Sequence, residues 1–157
     1  MLSKRLETII SLVDKNAKTI DIGTDHAYVP IALYKRNITK NIIASDISKE
    51  VCSKAKNNLN INGIKNIKVI QSDGFNNIME SFDIAIISGM GTKTILKILN
   101  IKNLPNNLII ASQNNFELLR KEMNKKGFKI IQEEVVYEKK YYPIIKYQKG
   151  QEELTKA

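Results

Sequence analysis

Seven short runs rich in β-branched residues punctuate the chain, and what lies between them constrains the fold more than any other feature. Five runs, at 18–22, 41–45, 67–70, 82–87 and 107–111, alternate with segments of helical period. Leu2, Leu6, Ile9, Ile10 and Val13 form a helical stripe before the first run. A helix is expected over 29–35, with Pro30 in its first turn, where a missing N–H costs nothing. Ser48 can cap a helix carrying Val51, Cys52, Ala55 and Leu59, ended by Asn62-Gly63. Further helices are expected over 93–99 and from a cap at Asn114 or Asn115 through Phe116, Leu119 and Met123 to Gly127. The last two runs, 128–137 and 141–147, are joined by Glu138-Lys139-Lys140, which leaves no room for a helix. They must form an antiparallel hairpin. The order predicts an α/β domain: five parallel strands alternating with helices, then two antiparallel strands, seven in all.

Composition agrees with one globular domain. The 157 residues are 43% hydrophobic and 26% charged, which excludes a disordered chain and a fibrous repeat. A single cysteine, Cys52, excludes an internal disulfide and fits a reducing, cytoplasmic setting. No apolar run approaches the ~18 residues of a membrane span, and the N-terminus lacks a cleavage signal. No membrane partner is expected, and the chain reads as a monomer.

The formal charge is +9, which suits a polyanionic partner. Yet 22 of the 25 basic residues are Lys, beside 26 Ile and 17 Asn. All three have A/T-rich codons, so drift in base composition competes with partner binding as the origin of the charge. The lysines at 121, 125, 126, 129, 139 and 140 fit either a solvated face or a track for a nucleic-acid backbone.

In a parallel α/β sheet the ligand sits at the carboxyl ends of the strands. Those ends carry Asp21-Ile22-Gly23-Thr24-Asp25-His26, then Asp46, then Asp73-Gly74, then Ser88-Gly89-Met90-Gly91, then Gln113-Asn114-Asn115. Asp46 follows Gly23 by 23 residues, the placement of an acid that accepts from a ribose diol. Asp73, one strand further out, lies where an adenine would reach. The first loop lacks the later glycines of a pyrophosphate loop and carries Asp25 instead. That disfavours a dinucleotide and a nicotinamide oxidoreductase. It favours a cationic cofactor with an amine and an adenosine, a description S-adenosylmethionine meets. One His, one Cys and scattered carboxylates make no metal site.

These elements resemble a known family. The segments LSKRLETIISLV, IDIGTDHAYVP, Asp46, SDG, ISGMG, SQNN and KYYPIIKY together resemble the bacterial tRNA (adenine-N1)-methyltransferases that act on adenine 22. The resemblance implies a Rossmann-like class I fold using S-adenosylmethionine, with residues 1–150 as the methyltransferase domain. It places Asp21, Gly23, Thr24, Asp25 and His26 against the methionine part and Asp46 at the ribose, with Ile47 also among the cofactor-binding residues. Asp73 and Gly74 would face the adenine, and Gly89, Met90 and Gly91 the transferred methyl. Asp25, His26 and Asn114 are the implied catalytic group; Arg5, Tyr28, Gln113 and Asn115 would meet the tRNA. Relatives carry Gln-Pro-Asn where this chain has Gln113-Asn114-Asn115, and they continue into a helical tRNA-gripping segment, of which 151–157 would be the start. The alternatives are a catalytically weak RNA-binding module on the same fold, or a methyltransferase of another RNA.

Overall fold

The computed structural model describes residues 2–150, so the extension expected to begin over 151–157 lies outside the described residues. The elements run α1 (Lys4–Ser11), β1 (Thr19–Ile22), α2 (Tyr28–Lys35), β2 (Ile42–Asp46), α3 (Lys49–Ile61), β3 (Lys68–Gln71), β4 (Ile84–Met90), α4 (Thr92–Ile98), β5 (Asn107–Ser112), α5 (Phe116–Lys125), β6 (Phe128–Glu138) and β7 (Lys140–Lys149). One sheet holds all seven strands in the order β3-β2-β1-β4-β5-β7-β6. The first five are parallel, and β7 pairs antiparallel with both β5 and β6, as the short Glu138-Lys139-Lys140 connection requires.

Alternate residues of the central strands face opposite layers, and both faces are apolar. Ile84 and Ile86 of β4 join Ile9 and Ile10 of α1, Leu33 of α2 and Ala55 and Leu59 of α3 on one side. Ala85 and Ile87 join Ile95 of α4 and Leu119 and Met123 of α5 on the other. Period-two burial on both faces is why β4 and β5 read as unbroken apolar runs. Ile86 is fully buried, so truncating it to Ala costs about 2–5 kcal/mol.

The caps explain the helix starts. Ser3 Oγ accepts from Leu6 N–H at α1, and Ser48 Oγ accepts from Val51 N–H at α3. Two expectations are corrected. The alternation of strands and helices fails between β3 and β4, where the chain crosses the sheet through turns alone. A parallel crossover needs about a dozen residues, and Ser72–Asp83 supplies that length without a helix. Ser72 holds the loop: its Oγ donates to Gly74 O and accepts from Asn77 N–H. Neither Asn114 nor Asn115 caps α5 through its side chain; Asn115 is the cap residue by position, in a left-handed conformation.

Candidate active site

Strand order reverses between β1 and β4, and two cavities open at their carboxyl ends. One, of about 250 Å³, lies on the α1 side and is lined by Arg5, Asp21, Thr24, Tyr28 and Gln113 among others. The second, of about 390 Å³, is lined by Asp46, Ile47, Asp73, Gly74, Met90 and the α4 residue Ile98 among others. Gly23, Asp25, Ser88 and Gly89 border both. The two spaces meet across the tips of β1 and β4.

The backbone makes this junction. Ser88 pairs with Ala111 and Met90 with Ser112, so Gly89 is an extra residue in a β-bulge, at φ +79°. Gly23 sits at φ +77°, and a Cβ there would come within 2.7 Å of Met90 Cε and 3.2 Å of Ser88 O. Gly23 thus lets the β1 and β4 tips approach closely, while Gly89 supplies the left-handed backbone of the bulge.

The first loop spends its amides on the protein. Gly23 and Thr24 N–H both donate to Ser45 O, at 3.0 and 2.9 Å. Asp25 N–H donates to Asp46 Oδ2 at 3.3 Å. A phosphate cradle needs such amides free, so this loop offers a pyrophosphate no seat.

What it offers instead is negative charge. Asp21 is buried in the central strand, 2% exposed. Thr24 Oγ1 donates to its Oδ2 at 2.8 Å, while Oδ1 has no partner. Burial pushes the Asp21 carboxyl up to about 7; the Thr24 hydrogen bond opposes this and the nearby Asp46 charge adds to it. Asp46 also accepts from Ser48 N–H, at 3.2 Å. A carboxylate has about four lone-pair sites, so it can still accept from a diol. These features fit S-adenosylmethionine: an unsatisfied buried carboxylate suits its amine, a free acceptor suits its ribose, and the apolar Ile47, Val51 and Ile98 in the same cavity wall suit a flat base.

Asp25 holds a left-handed conformation at φ +56°, with its carboxylate largely exposed at the junction. His26 Nδ1 lies 3.0 Å from Asp25 Oδ1, and the His26 ring stacks on Tyr28 at 5.2 Å. His26, Gly91, Asn114 and Asn115 line neither cavity. Asn114 is engaged with α4: its Oδ1 accepts from Thr92 N–H, and its backbone carbonyl accepts from Thr92 Oγ1. Gly91 makes room for it, since a Cβ there would lie 3.0 Å from Asn114 Oδ1. Sequence reasoning missed Ser3, Leu6 and Ile9, which place α1 in the cavity wall, and Thr94 and Ile98 of α4. The amphipathic stripe of α1 signalled a buried face but not what that face borders.

Residues 2–145 match the model of a family described as a methyltransferase domain. The Mycoplasma capricolum protein TrmK, solved with S-adenosyl-homocysteine, is 33% identical. The match covers 99% of this chain and 73% of that one, with a TM-score of 0.88. The chain belongs to the TrmK methyltransferase family. Streptococcus pneumoniae Sp1610, described as a tRNA (m1A22) methyltransferase and solved in complex with S-adenosyl-L-methionine, is 33% identical; the match covers 99% of this chain and 77% of that one, at TM-score 0.90. The tRNA (adenine(22)-N(1))-methyltransferase of Bacillus subtilis is 35% identical over 100 residues, 62% of this chain and 42% of that protein. The TrmK-type chain is thus a methyltransferase using S-adenosylmethionine, on the fold its strand order predicts. Among the described residues no helix is long and apolar enough to cross a membrane, and no cluster of ligating side chains could hold a metal.

Proposed function

We propose that this chain transfers a methyl group from S-adenosylmethionine to N1 of adenine 22 in tRNA, acting in the cytoplasm as a monomer with residues 1–150 as its catalytic unit. The observation that carries the reading is the junction of the two cavities at Gly23, Asp25, Ser88 and Gly89. The acid-lined cavity suits the cofactor's adenosine, and the α1-side cavity suits its methionine end at Asp21 and the target base at the rim of Arg5, Tyr28 and Gln113. The reading is supported by the family and by the Bacillus subtilis relative named for this reaction.

When bound, the cofactor supplies an electrophilic methyl group. The chain's own task is alignment. Neutral adenine has a free lone pair at N1, so no general base is required, only an exposed base held in line. The methylated base is cationic, and Asp25, which borders both cavities, would stabilise that charge. Asp21 would hold the methionine amine and Asp46 the ribose.

The test is calorimetric binding of S-adenosylmethionine, followed by methyl incorporation into unmodified tRNA and into the same transcript with guanosine at position 22. Binding and incorporation confined to the adenine-22 transcript are expected. Equal labelling of both transcripts would overturn the choice of target.

A further inference from the structure

The β6–β7 hairpin outgrows the sheet it closes. β5 and β7 pair from Asn107↔Gln148 to Ile110↔Ile145, whereas β6 and β7 stay paired up to Glu138↔Lys140. Residues 140–144 of β7 therefore have β6 as their strand partner and β5 no longer. At about 3.4 Å per residue, the tip stands about 17 Å beyond the last β5 pair. Since β7 is antiparallel to β5, the overhang rises from the carboxyl end of the sheet, where both cavities open.

Its turn end is tied to the cavity rim. Lys140 Nζ donates to Gln113 O at 2.9 Å, and Gln113 lines the α1-side cavity. Arg5, from the same cavity wall, lies 4.2 Å over the Tyr142 ring, and its Nε donates to Glu138 at 2.9 Å. Lys140 Nζ also sits 4.9 Å from the Tyr142 centroid and 5.7 Å from that of Phe116. The charge of Arg5 is matched by Glu138. Among the described residues no carboxylate lies within ion-pair distance of Lys140, so its ammonium keeps donors to spend. Near the turn, Tyr137 and Tyr141 pair across the strands with ring centroids 5.0 Å apart, yet they are 57% and 69% exposed.

A lysine with donors to spare, next in sequence to an exposed aromatic pair, is what a single-stranded nucleic acid recognises: phosphate on the ammonium, bases on the rings. We propose that this overhang binds the RNA strand flanking the base in the α1-side cavity, with Lys140 on a backbone phosphate and the Tyr137–Tyr141 pair stacking a neighbouring base. The proposal rests on the tRNA reading above and adds to it a site on the hairpin. Continuity with the cavity rim favours RNA over a protein partner here.

The test measures tRNA affinity against salt concentration for the whole chain, with cofactor affinity and thermal midpoint as controls. Lys140→Ala should weaken tRNA binding and lower the slope of log affinity on log salt by about one phosphate contact, with Lys140→Arg restoring it. Tyr137→Ala with Tyr141→Ala should weaken binding at least about fivefold at unchanged cofactor affinity. The chain has no tryptophan, so Tyr141→Trp supplies a lone reporter whose fluorescence should be quenched by tRNA. An unchanged salt slope in Lys140→Ala removes the phosphate contact. Unquenched Trp, or a double alanine variant with wild-type affinity, removes the stacking surface and leaves the tyrosines a protein contact or a bare cross-strand pair. If the parent chain methylates tRNA while these variants match it, the hairpin site alone falls. If tRNA quenches the reporter but accepts no methyl group, the reaction falls and the hairpin site stands.

Discussion

Thr24 Oγ1 donates to Asp21 Oδ2 at 2.8 Å, and the other oxygen of that buried carboxyl is left without a partner. With its ionisation pushed up to about 7 from an ordinary 3.8, Asp21 stays protonated in the native state over a range where the unfolded chain has lost the proton. Native-state stability should therefore fall as pH rises from about 4 to 7, by about 1.4 kcal/mol per unit at most, and level off above. Asp21→Asn keeps an acceptor for Thr24 and should flatten this dependence. Denaturant titrations at pH 5, 6, 7 and 8 compare the two slopes.

The same residue sets a pH dependence of binding with the opposite sign. The cofactor's amine is a cation and favours ionised Asp21. S-adenosylmethionine affinity should rise with pH through about 7, and Asp21→Asn should bind weakly with that rise removed. Calorimetry across the same buffers separates the two; equal pH profiles would refute the contact.

Asp46 links the first loop to the start of α3 by accepting from Asp25 and Ser48 N–H. Asp46→Ala removes those acceptors along with the ones assigned to the ribose. Cofactor affinity should fall by about 1.5–3 kcal/mol for each charge-assisted hydrogen bond lost. Unchanged affinity in calorimetry would exclude Asp46 from the ribose site.

Two glycines with similar φ angles make a controlled pair. Gly63 at φ +71° has nothing within 4 Å of an added Cβ, whereas Gly23 at φ +77° meets Met90 and Ser88. Gly63→Ala should cost about 1 kcal/mol of backbone strain, and Gly23→Ala more, with a loss of cofactor binding that Gly63→Ala does not share. Chemical denaturation and calorimetry on both variants check the order.

Asn114 satisfies Thr92 N–H, an otherwise orphan donor at the start of α4, because Gly91 cannot supply a side-chain cap. Asn114→Ala should destabilise the fold by about 1 kcal/mol, as loss of a cap does, while cofactor affinity stays at the parent value. A selective loss of kcat with unchanged stability would instead place Asn114 in the chemistry.

The strands and the Ser48 cap were legible because each rests on local physics: Ile84 to Ile87 alternates between two apolar layers, and Ser48 reaches an amide three residues on. The acids at the strand tips were legible for the same reason, since Asp46 ends β2 and Asp73 lies two residues past β3. What stayed hidden depends on contacts distant in sequence. Nothing local tells that Asn114 turns to Thr92, that α1 brings Ser3 and Leu6 to the cavity, or that residues 72–83 cross the sheet without a helix. The bulge at Gly89 appears only once β4 is paired with β5.

The donation of Gly23 and Thr24 N–H to Ser45 O bears on how this scaffold could be redesigned. Those amides belong to the main chain, so no side-chain replacement returns them. Substituting Asp25 by glycine would remove charge and leave the anion-binding donors still committed to β2. Converting the pocket to a nucleotide phosphate would require rerouting the loop itself. The exclusion of a phosphate at Gly23 and Thr24 is thus inherited from backbone connectivity, whereas the attraction for a cation rests on the Asp21, Asp25 and Asp46 side chains and is open to point mutation.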